Sequence, residues 1–253
     1  MAKSSALTRN IIGAALLGCT VVLTAAVTGG DPKDVEMGTR LAELLRAGRS
    51  IVSNYQMLIN DPTISDKGLD SARFVEEAVS LYTERRGSEP LSGDLSERDR
   101  RLIEAQLDAM REVLDEHQDD INREGIGFKG FVPAIFARLI NEKFADKVGT
   151  EARVRVTAPE QLVRNRKSRP DAWEADVIKN KLLSPQWSKD QIFAAAAHAG
   201  GRDSFRVLVP EYYTAGCLTC HGEPKGEIDV TGYPKEGGKA GDLGGAISIV
   251  LFK

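Results

Sequence analysis

Two cysteines and a histidine stand together near the C-terminus, Cys217-Leu218-Thr219-Cys220-His221. Thiols at this spacing can form thioethers with both vinyl groups of one haem, and the adjacent imidazole then lies beneath the iron as its proximal ligand. Dithiol redox pairs and zinc sites use similar spacing. A thioredoxin-type pair opens a helix in a βαβ unit, whereas this motif follows an extended run ending at Tyr212-Tyr213 and precedes Gly222-Glu223-Pro224. A zinc site needs further ligands, and Cys19, His117 and His198 show no paired spacing. The expectation is one covalent haem c on Cys217 and Cys220, with His221 on the iron. It requires export, because haem c is attached outside the cytoplasm.

Export has its own support at the N-terminus. Lys3 and Arg9 precede an uncharged apolar run, Ile11 to Val27, at the lower limit for a membrane span. Residues 1–30 are therefore expected to be a signal peptide, cleaved near Thr24-Ala25-Ala26, or an inner-membrane anchor over residues 11–28. Leu16-Leu17-Gly18-Cys19 also resembles a lipoprotein box, although Thr20-Val21-Val22-Leu23 stays apolar where a lipid tether turns polar. Each route delivers the body to the periplasm of a Gram-negative-type envelope. That body has an ordinary globular composition, 42% hydrophobic and 28% charged. A net charge of −3 with both signs interspersed argues against a nucleic-acid partner. With Cys19 set aside, both remaining cysteines belong to one motif, so no disulfide framework is expected.

The elements that position the motif divide at about residue 127. Residues 31–127 are helical in pattern. Leu41, Leu44, Leu45, Ile51, Val52 and Leu58 form a stripe that Asp61-Pro62 ends. A shorter helix spans about 70–84, and Gly87 to Gly93 is a loop. Ser96 then caps a helix with acids in its first turn. Its stripe, Ile103, Leu107, Met110, Leu114, His117 and Ile121, is a heptad-like seam that predicts lengthwise packing and makes a homodimer through the helical region an expectation. An internal echo joins the long helices: Gln56-x-x-Ile59-Asn60, Ile64 and Lys67-Gly68-Leu69 recur sixty-two positions on as Gln118-x-x-Ile121-Asn122, Ile126 and Lys129-Gly130-Phe131. Each Asn can stop a helix and each Gly can take positive φ, so two helix-plus-turn units should lie side by side.

Residues 128–253 change period. A helix within 132–144 precedes Ala152 to Thr157, an alternating strand with one wet face. Pro170 starts a helix running to about Leu182. Ile192 to His198 and Ser204 to Val209 form a hairpin around Gly200-Gly201, and Gly244 to Phe252 is a buried closing strand. The class is α+β, an antiparallel sheet with helices on one face.

Three stretches carry a resemblance: Arg164-Asn165-Arg166-Lys167 with Pro170-Asp171-Ala172-Trp173-Glu174, the motif through Gly222, and Gly232-Tyr233 with Gly241-Asp242-Leu243-Gly244-Gly245-Ala246-Ile247-Ser248. In this order they resemble exported single-haem c-type proteins with a PAS-like fold, typified by a small cyanobacterial haem protein. That family also occurs as the sensory region of membrane-bound kinases and chemoreceptors. The resemblance is strong over 128–253 and looser before it. It implies a PAS-like sheet holding one haem with His221 proximal, and a distal cysteine from a helix before the sheet. No cysteine lies between residues 20 and 216.

The sixth ligand is therefore open among Met57, His117, His198 and a vacant position. A thioether from Met57 would raise the iron's potential, while the simpler role is core packing. For His117, in the apolar seam, packing is likewise the simpler role, and His198 is expected to be structural or solvent-facing. Tyr212 and Tyr213 stand close enough in sequence to wall a haem. Arg164 and Arg166, in a basic run with Lys167 and Arg169, are candidates for the haem propionates, against a solvated loop. The expected function is a non-enzymatic redox or diatomic-gas sensor. Because the sequence ends at Lys253 without an output module, it would act through a separate membrane-bound signalling or redox protein. A one-haem electron-transfer role is the alternative. Peroxidase-like catalysis ranks third, since no distal acid–base pair is visible.

Overall fold

The computed structural model describes residues 24–28 and 31–253, so the anchor, lipid and most of the signal-peptide expectations lie outside the described residues. Among the described residues no helix is long and apolar enough to cross a membrane. Thr24–Thr28 is β1, an edge strand running parallel to Gln191–Ala199 (β3).

Asp31 opens the helical half by accepting a hydrogen bond from the Lys33 N–H at 2.9 Å, with Pro32 in the first turn of α1 (Pro32–Asn54). Leu41, Leu44, Leu45, Ile51 and Val52 are all buried, as their stripe requires. At Tyr55 the helix breaks, where the Gln56 side-chain amide takes the Val52 carbonyl, and α2 (Gln56–Ile59) follows. Then come α3 (Ser71–Arg86), α4 (Glu97–Glu116) capped by Ser96, α5 (Gln118–Asn122) and α6 (Pro133–Val148).

The echo has a structural cause. Tyr55 and His117, equivalent in the two units, each separate a long helix from a short one. The units then exchange caps: the Lys67 N–H donates to Asn122 Oδ1 and the Lys129 N–H to Asn60 Oδ1, each at 3.1 Å. Both lysine ammonium groups converge on the Asp61 carbonyl, at 2.6 and 3.4 Å. Each turn is thus completed by the other, and Gly68 and Gly130 both take positive φ. The heptad seam is used inside the chain: Ile103, Leu107, Met110 and Leu114 are buried in a core shared with α1, α3 and α6. That removes the seam as a basis for a homodimer.

Four antiparallel strands, β3, β4 (Arg202–Tyr212), β5 (Leu243–Phe252) and β2 (Ala152–Thr157), stand in that spatial order. The β3–β4 hairpin pairs Ala199 with Arg202 around Gly200 and Gly201, whose φ values of +57° and +76° suit a two-residue turn. Helix α1 lies directly on the sheet, since a Cβ on Gly38 would stand 2.5 Å from Val207 Cγ2. Phe205, Val207, Val209, Ile247, Ile249 and Leu251 face this helical layer, and one continuous core spans the boundary near residue 127.

The strand Ala152–Thr157 keeps Arg153 exposed as expected, but the opposite face of the sheet corrects the expectation of helices on one side only. Asp171 and Glu174 form a reciprocal capping box at 2.9 Å that starts α7 (Ala172–Val177), and a π-helical turn, Ile178–Leu182, follows. Val177, Ile178 and Leu182 pack on Leu208 and Ala246, with Trp173 and Phe193 beside them. Arg206 is nearly fully buried. It bonds Glu174 at 3.1 Å and lies under the Trp173 ring at 4.3 Å. The Pro170–Glu174 stretch is therefore a clamp on the second face of the sheet.

Candidate functional site

Strand β4 delivers the motif. A bulge between Glu211 and Tyr212 turns the chain out of the ladder. Tyr213 is then fixed by its N–H to the Asp242 carbonyl (2.9 Å) and its carbonyl to the Gly241 N–H (2.8 Å). Thr214 caps a 3-10 turn, Ala215–Cys217, with its N–H 3.4 Å from Cys217 Sγ. The short helix α8 (Leu218–His221) places Cys220 one turn on. Both thiols are unpaired and half-buried. Burial pushes the Cys220 thiol above its ordinary value, reinforced by the Asp229 carboxylate beside it.

His221 is oriented from two directions. Its Nδ1 lies 2.8 Å from Glu236 Oε2, and its ring stacks on Tyr213 at 5.1 Å with an 18° interplanar angle. Tyr213 fits only because glycines line its slot: a Cβ on Gly238 would stand 2.6 Å from the ring, and one on Gly244 closer still. Burial, then the charge of Glu236, pushes the Tyr213 phenol up to about 12. The loop after the motif is laced back to it, Gly238 N–H to His221 carbonyl (2.8 Å) and Gly237 N–H to Gly222 carbonyl (3.1 Å).

Arg164 braces this assembly. It bonds Glu236 through Nε at 2.7 Å, Asp229 Oδ2 at 2.6 Å and the Cys220 carbonyl at 2.8 Å. Burial raises the Asp229 carboxyl, but hydrogen bonds from Thr231, Arg164 and Tyr233 outweigh it and hold the group well below the usual carboxylate range. Glu236 is lowered likewise, with Arg164 and His221 overcoming burial. Arg164 is thus engaged by two carboxylates and a backbone carbonyl of the protein. Arg166 lies exposed on a 3-10 turn, Arg166–Ser168.

The other sequence candidates are dispersed. Met57 is 90% exposed on α2, not a core methionine. His117 has Nδ1 2.9 Å from the Val113 carbonyl and packs on Phe131. His198 pairs with Asp203 across the hairpin at 3.0 Å. A concavity of about 480 Å³, lined by residues including Asp34, His198 and Lys253, shares no residue with the motif. Among the described residues no group of three or more His, Cys, Asp or Glu is placed to hold a metal ion. Sequence reasoning missed Glu236 and Asp229. The glycine-rich run around them, Gly226 to Gly245, was the available sign of a tightly laced loop.

Fold and site together define an α+β protein in which the end of an interior strand presents two free thiols and a tethered imidazole on consecutive turns. Residues 93–251, more than half of the chain, match the Tll0287-like family, and the protein belongs to it. A solved structure, that of the cyanobacterial haem protein Tll0287, is 19% identical, with a TM-score of 0.35 over 45% of this chain and 67% of its own. No curated protein matches the chain.

Proposed function

We propose that the protein carries one haem c, bound through Cys217 and Cys220 with His221 as proximal iron ligand. It would work outside the cytoplasm, as a PAS-like redox or diatomic-gas sensor acting through a separate membrane-bound partner. The observation that carries the reading is the hydrogen bond from His221 Nδ1 to Glu236. Fixing that nitrogen sets the tautomer and leaves Nε2 for the iron.

The surroundings fit such a group. Ile228, Val230 and Tyr233 are 62%, 56% and 45% exposed. They flank Asp229, the carboxylate next to Cys220, so a macrocycle on the thiols would cover apolar surface otherwise left to water. When bound, haem supplies one-electron chemistry and a site for a small ligand. The chain's own residues bind it by thioethers, ligate it through His221, make that imidazole more electron-rich through Glu236 and hold the ring plane through Tyr213. Arg166 remains as a basic group for a propionate. Membership of a family with a solved haem protein supports the cofactor.

One-haem electron transfer is the second reading. The partial exposure of Cys217, Cys220 and His221 favours it, because it would leave a haem edge open to a redox partner.

The test is periplasmic expression with a haem-c maturation system, followed by haem staining after denaturing electrophoresis. Covalent haem is expected in the wild type and lost in Cys217→Ala/Cys220→Ala. Retention in the double variant would sink the proposal. Carbon monoxide and nitric oxide difference spectra then separate gas sensing, which requires a spectral response, from electron transfer, which does not.

A further inference from the structure

We propose that Met57 is the sixth ligand of the iron, an inference that rests on the haem reading above. Helix α1 runs beside the chain that enters the motif. Arg46 bonds the Pro210 carbonyl at 2.9 Å and the Glu211 carboxylate at 2.6 Å, and Arg49 pairs with the same carboxylate. Further along, Ser53 lies against Gly216, where a Cβ would stand 3.2 Å from Ser53 Oγ. The two segments therefore advance in the same direction, from 46 beside 210 to 53 beside 216. Past Tyr55, where α1 ends, the short α2 carries Met57 beyond the strand end, toward the side on which Cys217 to His221 lie.

Its orientation agrees. Ile51, Val52 and Ile59 are buried, whereas Ser53 and Met57 are exposed, so the thioether shares the outward face that meets Gly216. At 90%, Met57 is the most exposed large apolar side chain among the described residues. Among the described residues the competing sulfur and imidazole donors are engaged elsewhere. Met37 and Met110 are buried in the core. The His117 ring is held by Val113 and Phe131. His198 sits on the hairpin turn, at the opposite end of β4 from the motif.

Thioether and imidazole together give a six-coordinate, low-spin iron with a raised reduction potential. An internal ligand also lowers the apparent affinity for an added gas by the fraction of protein in which it has dissociated. The site would then answer to redox state rather than to a diatomic ligand.

The experiment uses the full-length holoprotein, with absorption and electron paramagnetic resonance spectra of Met57→Ala and Met57→His beside wild type. Wild type is expected to be low-spin, with the far-red ferric–thioether charge-transfer band. Met57→Ala should lose that band, become high-spin and bind carbon monoxide at least ~10-fold more tightly. Met57→His should restore a low-spin iron at a lower potential. A high-spin wild type, or a Met57→Ala spectrum identical to wild type, would overturn the inference while leaving covalent haem intact. A wild type without covalent haem overturns the haem reading itself, so the two failures are distinguishable.

Discussion

The two flanks of the Cys-x-x-Cys-His turn are built on opposite plans. On the C-terminal flank, Arg164, Asp229, Glu236 and Tyr213 hold His221 through side-chain bonds, a stacked ring and a laced backbone. On the α1 flank, Glu211 with its two arginines and the contact of Ser53 with Gly216 are the prominent ties, and the next residue outward, Met57, lies in solvent. One flank is organised by the chain's own groups, and the other keeps a side chain free. A histidine needs a fixed tautomer and plane to ligate well. A flexible thioether can adapt to whatever stands in front of it.

Substitutions should separate the flanks. Arg164→Ala leaves the buried Asp229 and part-buried Glu236 carboxylates without their cation and should cost roughly 3 kcal/mol in denaturant unfolding; a loss below roughly 1 kcal/mol would show that the brace is dispensable. Gly244→Ala pushes a Cβ into the Tyr213 ring and should cost about 2 kcal/mol. Partial recovery is expected in Gly244→Ala/Tyr213→Leu; without it, the slot has been misread. Glu211→Gln on the α1 flank should cost about 1 kcal/mol, read by amide exchange in the last turns of α1.

The same carboxylate makes that flank acid-sensitive. Burial raises Glu211, but Arg46 and Arg49 outweigh it, so its folded value lies below its unfolded one. The stabilisation is complete above the unfolded value near pH ~4.3 and disappears as pH falls through the lower folded value. Protection of the α1 end, corrected for intrinsic exchange, should therefore fall as the pH drops below about 4.3. The smallest effect belongs to Met57→Ala, within ~0.5 kcal/mol of wild type in the haem-free protein because the side chain is solvated. A larger loss there would mean that Met57 packs against the body.

Much of this was visible in the chain itself. The cap at Ser96, the Gly200-Gly201 turn and the stripe of α1 are local, and their residues carry the reason for their structure. The echo predicted two alike units, but not that Asn60 and Asn122 would cap each other's turns, because strings sixty-two residues apart do not reveal their pairing. Arg164 looked like a ligand for an anion, since nothing in the sequence announces that Asp229 and Glu236 return to it. The seam of α4 looked like a dimer surface because a heptad pattern does not say whether its partner is in the same chain.

The sequence by itself determined the cysteine–imidazole chemistry, the α+β class and the positions of most elements, because spacing along the chain fixes reach and periodicity fixes burial. Only the tertiary structure decided which groups orient His221, which cations are already engaged and which methionine is left in solvent. Those depend on contacts closed by long loops, and the energy of such contacts is set by geometry and burial rather than by residue type.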